Sequence, residues 1–252
     1  MNNKTTDVAH TAGAAHTAGA ARTTAQERKN KSIAILVSQG VPYIEHLPLR
    51  YETEEVTPRD KKEVIERAVC SFASIMCALS IGKKEYTEED RLFMTQDFLL
   101  ARYNALNLLT PMEKQVIADT VSEAEAINAA WKYESLWALL WALGIVEELS
   151  FPNEICDCDL VMGTMERFKN LDDFIANTTL RPIEEILQAL DLHYRYHWAA
   201  VNARVNGSDP AGIEEEVVME RRAGLEWLCC KGQENDNLTD TYNAWDHPDL
   251  NT

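Results

Sequence analysis

The sequence predicts an all-α protein: a single multi-helix globular domain at residues 31–241, placed between two tails. Apolar residues recur at the i, i+3, i+4 spacing of helices through most of that range. No two alternating β-branched runs flank a tight turn, so strand signals are scarce. Prolines and glycines stand where helices are expected to begin and end, namely Pro58, Gly82, Pro111, Gly144, Pro182 and Gly207. Such a chain buries its apolar faces by packing helix on helix.

The first half of the domain divides into four helical stretches. "SIAILVSQGVPY" also resembles a strand, but its apolar spacing fits a short helix ended by Gly40. An apolar helix follows Pro58, and "TEED" at Thr87 is a capping box that starts the next helix. The segment from Pro111 to Gly144 is expected to break into two helices in its acidic middle.

The second half contains one irregular segment and two helices. "SFPNEICDCDLVMG" is interpreted as a surface loop. The helix after Pro182 contains "LDLHYRYHWA", and "GIEEEVVMERRAGLEWLCC" forms the last helix. Residues 1–30 carry the hexad "HTAGAA" twice and are predicted to be a disordered low-complexity tail. Residues 242–252 are predicted to be a polar C-terminal tail.

Composition and charge exclude several classes of function. The net charge of −17 argues against sequence-independent binding to nucleic acid and against attachment to anionic membranes. It is compatible with a basic protein partner or simply with solubility. The N-terminal residues lack the apolar run of a signal peptide, so none is expected, and the longest apolar run, Leu136 to Val146, is too short to span a bilayer. With six cysteines in no secreted pattern, a reduced cytoplasmic protein is expected.

Motifs for cofactors and metals are weak throughout. No phosphate-binding loop, nucleophile elbow or dinucleotide fingerprint is present, so no cofactor is expected. "DCDLVMG" begins like a calcium loop but continues with valine where a ligand is needed. The pairs Cys156 with Cys158 and Cys229 with Cys230 lack the usual zinc spacer. His193 and His197 share a helix face, as zinc ligands do, but the glutamate of zinc hydrolases is absent, and packing in the core is the commoner role.

A more informative pattern is a single charge placed within an apolar helix face. Arg67, Glu134, Glu220 and Arg221 are the residues of this kind. Because a lone buried charge is very costly, such residues must pair, and Glu134 with Arg67 or Arg221 is the simplest solution. The resulting cluster would be a structural network, the more common outcome, or a catalytic centre with a tuned carboxylate.

The order of several motifs resembles a known family. "GVPYIEHLP", "EVIERA", "YESLWALLWALGIVEEL", "LDLHYRYHWA" and "VVMERRAGLEWL" follow one another as in the family called domain of unknown function 4272, from about Ser32 to Thr241. The resemblance matches Arg67, Glu134, Arg195, Trp198, Glu220, Arg221, Leu225 and Trp227 to the recurrent positions of the family. It implies the fold and carries no activity.

Two functions remain as hypotheses. The favoured one is a non-enzymatic, acidic α-helical binding or regulatory protein that meets a basic protein partner by charge complementarity. The alternative is an enzyme, a hydrolase or transferase, in which Arg67 and Arg221 hold an anionic group and Glu134 acts as acid or base. The alternative requires the cluster to open into a pocket, whereas a sealed cluster would direct attention to the surface.

Overall fold

The computed structural model describes residues 22–231 and 243–252. Within these residues it has nine α-helices and no strand, which confirms the all-α prediction. The helices are α1 Ala25–Gln39, α2 Lys61–Lys83, α3 Glu88–Leu92, α4 Pro111–Ile117, α5 Glu123–Ala142, α6 Cys158–Arg167, α7 Leu171–Ala176, α8 Ile183–Asn206 and α9 Glu215–Cys229. A π-helix, Phe93–Arg102, continues α3, and short 3-10 turns occur at Thr53–Glu55 and Leu106–Leu108.

Local sequence signals set the ends of these helices. Five helices start with a capping box, in which the N-cap side chain and a carboxylate three residues later satisfy each other's backbone donors. The predicted box at Thr87 is one of them. Gly40 and Gly207 end α1 and α8 in the left-handed conformation, which glycine adopts without steric cost.

Helix α5 lies at the centre of the domain. It packs between α2 and α9; α9 also packs on α8, α8 on α1, and α2 on α4. The main hydrophobic core is built around α2 and α5, and it includes the fully buried Ile65, Leu136 and Leu139. A smaller cluster with Leu36, Tyr196 and Val218 joins α1, α8 and α9.

Helix α2 is long and apolar enough to cross a membrane by length and composition alone. However, 72% of its most apolar window is buried inside the protein, as in the core helix of a globular domain. The burial of residues such as Val64 and Ala68 against neighbouring helices accounts for its apolar composition.

The predicted N-terminal tail, residues 1–30, overlaps helix α1. Residues 1–21, with the "HTAGAA" repeats, lie outside the described residues. From Thr24 onward the chain is ordered by a capping box with Glu27. The guanidinium of Arg28 is buried and donates to Glu184 Oε2 at 3.0 Å and to the Tyr51 carbonyl at 2.6 Å. The boundary at residue 30 was therefore placed too late, because the polar composition hid a capped helix.

The predicted C-terminal tail, residues 242–252, also differs from the structure where it is described. Trp245 is buried and packs edge-on against Trp227, with the ring centroids 5.5 Å apart. Asp246 accepts hydrogen bonds from Thr110 Oγ1 at 2.7 Å and from the Met112 amide at 3.1 Å, so it supports the start of α4. Residues 243–248 are thus a packed part of the domain rather than a free tail.

The segment interpreted as a surface loop contains the first six residues of helix α6. The side chain of Asp157 accepts from the Leu160 amide at 2.9 Å and caps this helix. Val161 and Met165 are fully buried on its inner face. The aspartate was assessed as a calcium ligand, whereas its role in the structure is that of an N-cap.

Candidate functional site

Glu134 forms a sealed ion pair with Arg221. Arg221 Nε donates to Glu134 Oε2 at 2.8 Å, and both side chains are 1% exposed. The other carboxylate oxygen accepts from the Cys156 amide at 2.6 Å. Arg221 also donates to the Ser150 carbonyl at 2.9 Å and to the Glu154 carbonyl at 3.4 Å. The pair therefore ties α5 to α9 and to the segment that precedes α6.

In this arrangement the charged atoms of both side chains are directed to partners within the protein. Both oxygens of Glu134 are engaged by protein donors, and Arg221 is directed to the carboxylate and to backbone carbonyls. A buried pair that is satisfied in this way fixes how two helices register against each other. The geometry around Glu134 thus favours a structural role over acid–base chemistry.

The other two members of the predicted cluster lie in separate interactions. Arg67 pairs with the buried carboxylate of Glu113 on α4 and does not contact Glu134. Burial raises the pKa of Glu113, and the positive charge of Arg67 acts in the opposite direction. Glu220 accepts from Lys132 Nζ at 3.0 Å and from Ser135 Oγ at 2.7 Å. The four residues are therefore distributed over three ion pairs.

The two histidines of "HYRYH" are buried neutral groups with different partners. His193 Nδ1 lies 2.9 Å from the Ala189 carbonyl one turn earlier, and His197 Nδ1 accepts from Arg222 at 2.9 Å. The pKa of each histidine is lowered to about 4, chiefly by burial and to a smaller extent by the positive charge of nearby arginines. Among the described residues no group of three or more histidine, cysteine or carboxylate side chains is placed to hold a metal ion.

All six cysteines are free thiols. Burial raises the pKa of Cys70 to about 12 and that of Cys77 to about 11. The pKa values of Cys156, Cys158, Cys229 and Cys230 are raised as well, again chiefly by burial. A thiol of this kind packs as a small apolar side chain and is a poor nucleophile.

Other buried ion pairs lie outside the predicted cluster. Asp191 and Arg195, four residues apart on α8, are joined by two hydrogen bonds of 2.8 and 2.9 Å, with both side chains buried. The pair of Arg28 with Glu184 joins α1 to α8. Its partners are far apart in the chain, so no sequence pattern could have revealed it.

An open apolar groove of about 760 Å³ lies on the side of α5 that faces α6. We call it the methionine groove, because Met76 of α2, Met94 of the π-helix and Met162 of α6 lie in its walls. The remaining lining residues are Ala78, Leu79, Ser80, Gly82, Lys83, Ile127, Ala130, Trp131, Tyr133, Glu134, Ile155, Cys156 and Cys158. Glu134 lies at its base with the carboxylate sealed, so Lys83 is the one exposed charge among these residues.

Helical periodicity explains how two helices form the walls of this groove. On α5 the residues 127, 130, 131 and 134 follow the i, i+3, i+4, i+7 spacing, and residues 76, 79, 80 and 83 repeat that spacing on α2. Ile127 is 51% exposed and Ile155 is 61% exposed, although both are large apolar residues. No single stretch of the sequence predicts the groove, because its walls come from four separate segments.

Carboxylates surround the part of the groove that precedes α6. Glu154, Asp157 and Asp159 are exposed and alternate in the chain with the lining residues Ile155, Cys156 and Cys158. The pKa of Cys158 is raised first by burial and then by the negative charges of Glu134, Asp157 and Asp159, so these carboxylates act on the groove wall. The result is an apolar floor with an acidic margin.

Comparisons with known proteins give a family and no activity. No curated protein and no solved structure matches the chain. A family model described as a domain of unknown function (DUF4272) matches residues 28–248. The match includes the last turns of the fold around Trp245, beyond the limit expected from the sequence motifs. The chain therefore belongs to the family described as domain of unknown function DUF4272.

Proposed function

We propose that the protein is a non-enzymatic binding protein whose methionine groove takes the apolar face of a basic amphipathic helix from a protein partner. The observation that carries this proposal is the groove itself: an open apolar cavity of about 760 Å³ in which Ile127, Ile155 and Met162 are exposed. Apolar surface of this kind is costly in water and commonly marks an interaction site.

The composition of the groove suits a helical partner. Methionine side chains are flexible and polarisable, so they adapt to the side chains of a helix laid into a groove. Met94 stands in a π-helix, Phe93–Arg102, and such elements occur often at functional sites. The groove thus has the features of a surface that binds the apolar stripe of an amphipathic segment.

Charge supports a basic partner over an acidic one. The net charge of −17 gives the whole molecule a strongly negative potential, which speeds association with cations and repels anions. The margin residues Glu154, Asp157 and Asp159 place negative charge beside the apolar floor. Lysines and arginines on the polar face of a bound helix would lie opposite these carboxylates.

The test uses the full chain and a designed Leu/Lys amphipathic peptide of about five helical turns. Binding is measured by fluorescence anisotropy of the labelled peptide at low and high salt. An otherwise identical Leu/Glu peptide tests the charge requirement, and dodecanoate tests whether the groove prefers a small apolar acid that pairs with Lys83. We expect the Leu/Lys peptide to bind, the Leu/Glu peptide to bind much more weakly, and salt to weaken binding.

Variants locate the site. Ile155→Glu places a charge in the groove at an exposed position, so we expect a loss of affinity of at least about tenfold, or about 1.4 kcal/mol. Val205→Glu is the matched control, because Val205 is 70% exposed on α8 and makes no part of the groove. Equal loss in both variants, equal binding of the two peptides, or binding of dodecanoate alone would overturn the proposal.

A further inference from the structure

A second cavity is lined by other residues of the same two helices, α2 and α5. It has a volume of about 210 Å³ and shares no lining residue with the methionine groove. On α5 its residues are 125, 128, 129 and 132, again at helical spacing, and on α2 they are 71, 74 and 75. The remaining walls are formed by Met112 and Glu113 of α4, Glu220 of α9, and Trp245, Asp246 and Pro248. We call it the polar pocket.

Two buried polar atoms of this pocket have no hydrogen-bond partner. Ser71 is 1% exposed, and its Oγ is unpaired. Glu113 is 4% exposed; its Oε2 accepts from Arg67 and from the Thr110 amide at 2.9 Å, but its Oε1 is unpaired. Buried polar groups in folded proteins nearly always have hydrogen-bond partners. Two unpaired polar atoms in one cavity therefore indicate that a ligand or ordered water occupies it.

The charges around the pocket identify the kind of ligand. Its lining has four carboxylates, of Glu113, Glu125, Glu220 and Asp246, and a single cation, Lys132. Lys132 is already engaged by Glu220 at 3.0 Å. Asp246 already accepts three hydrogen bonds from neighbouring residues. Glu113 Oε1 and the Ser71 hydroxyl are unpaired, so they can accept hydrogen bonds from a ligand.

We propose that the polar pocket binds a small organic cation with several N–H donors, of the alkylammonium or guanidinium class. One N–H would donate to Glu113 Oε1, and a second would donate to Ser71 Oγ. The indole ring of Trp245 forms part of the wall, and the Arg67 guanidinium and Lys132 Nζ already lie 5.3 and 5.5 Å from its centroid, as cations do over aromatic faces. The cavity volume of about 210 Å³ is far larger than the roughly 10–15 Å³ that a cavity needs to hold one water molecule. It is also small enough to exclude a peptide.

The test measures calorimetric binding of two probes, butylammonium and methylguanidinium, to the full chain. Butanol and butyrate are controls of similar size that are neutral and anionic. Ser71→Ala removes a hydroxyl that has no protein partner, so the fold should be unaffected while affinity falls about tenfold. Ala129→Leu fills the pocket without removing a polar contact and should abolish binding.

Ser32→Ala is the matched control, since Ser32 is also a buried serine but accepts from Gln188 on the other side of the domain. It should leave the affinity for both probes unchanged. Failure of both cations to bind at about 10 mM would show that the pocket holds only water. Equal binding of butanol or butyrate, or binding that survives Ala129→Leu, would also overturn the proposal. The result is independent of the methionine groove, because none of these variants alters it.

Discussion

Helix α5 has one side that is closed against α9 and another that is open to solvent at the methionine groove. On the closed side, Gly224 brings the helices so close that an added Cβ would lie 2.7 Å from the Ser135 carbonyl oxygen. The sealed pair of Glu134 with Arg221 lies between the same two helices. On the open side, Ile127 and Trp131 line a cavity of about 760 Å³.

The two sides of α5 reverse the simplest pattern of a globular protein, in which charged side chains are exposed and apolar side chains are buried. Charges that would be cheap in water are placed inside, where they specify one arrangement of α5 and α9. Apolar side chains that would be favourable inside are left on the surface, where another molecule can cover them. The closed side should therefore determine stability, and the open side should determine binding.

The largest expected effect comes from breaking the ion pair on the closed side. Arg221→Met leaves the carboxylate of Glu134 buried without its partner, and we expect the free energy of unfolding to fall by about 3–5 kcal/mol. Urea denaturation followed by circular dichroism measures this loss. The double variant Glu134→Leu with Arg221→Met should recover much of it, since no unpaired charge remains. A loss below about 1 kcal/mol in the single variant would mean that the pair contributes like an exposed one.

The next effect concerns the close approach of the two helices. Gly224→Ala places a methyl group against the backbone of α5, so we expect a loss of about 1–3 kcal/mol in unfolding free energy. Gly163→Ala on α6 is the control, because nothing lies within 4 Å of its added Cβ. That change should leave stability unchanged or raise it by up to about 1 kcal/mol. Equal effects in the two variants would contradict tight packing at Gly224.

The buried histidines should make the stability of the folded domain sensitive to acid. The folded pKa of His193 is about 4, below the usual value of 6.5, so the unfolded chain binds more protons between these two values. The contribution of His193 to the free energy of unfolding is therefore fully present above pH 6.5, and it is lost as the pH falls towards 4. We expect a loss of about 1–2 kcal/mol between pH 7 and pH 5 from this residue.

His193→Phe should reduce this dependence, which urea denaturation across that pH range can measure. The substitution removes the contact of Nδ1 with the Ala189 carbonyl, whereas Nε2 of His193 is buried without a partner. His46→Phe, at an exposed position, should keep the dependence of the natural sequence. An unchanged slope in the His193 variant would show that other groups cause the sensitivity to acid.

The smallest effect is expected on the open side. Ile127→Gln alters an exposed apolar residue of the methionine groove, and we expect the unfolding free energy to change by less than about 0.5 kcal/mol. The same variant should weaken binding of the Leu/Lys peptide. A large loss of stability with binding intact would reverse the assignment of the two sides.

The sequence predicted the helices better than the contacts between distant residues. Helix α5 was identifiable because its apolar spacing and caps are local features. Glu134 was expected to pair with Arg67 or Arg221, and choosing between them required the relative positions of α2, α4 and α9. Arg67 pairs with Glu113 instead. Glu113 is part of the capping box that starts α4, so its local sequence already explains why a glutamate stands there and does not indicate an ion pair.

The two cavities were beyond sequence reasoning for a related physical reason. A cavity is the space that remains between packed helices. It therefore depends on the relative positions of several helices and not on the sequence pattern of any one of them. Trp245 illustrates the same limit, because it follows a polar stretch that predicts a tail, yet its ring packs against Trp227. Helix α6 was missed because Asp157 was considered only as a metal ligand and not as a cap.

The raised pKa values of the six cysteines have a practical consequence. At neutral pH these thiols are almost entirely protonated, so alkylating reagents and peroxides should react with them slowly while the protein is folded. Cys70 and Cys77 lie on α2, Cys156 precedes α6, and Cys229 and Cys230 lie at the end of α9. Alkylation of each site, followed by mass spectrometry, would then record when each part of the domain opens. The natural chain thus carries its own set of reporters for local unfolding.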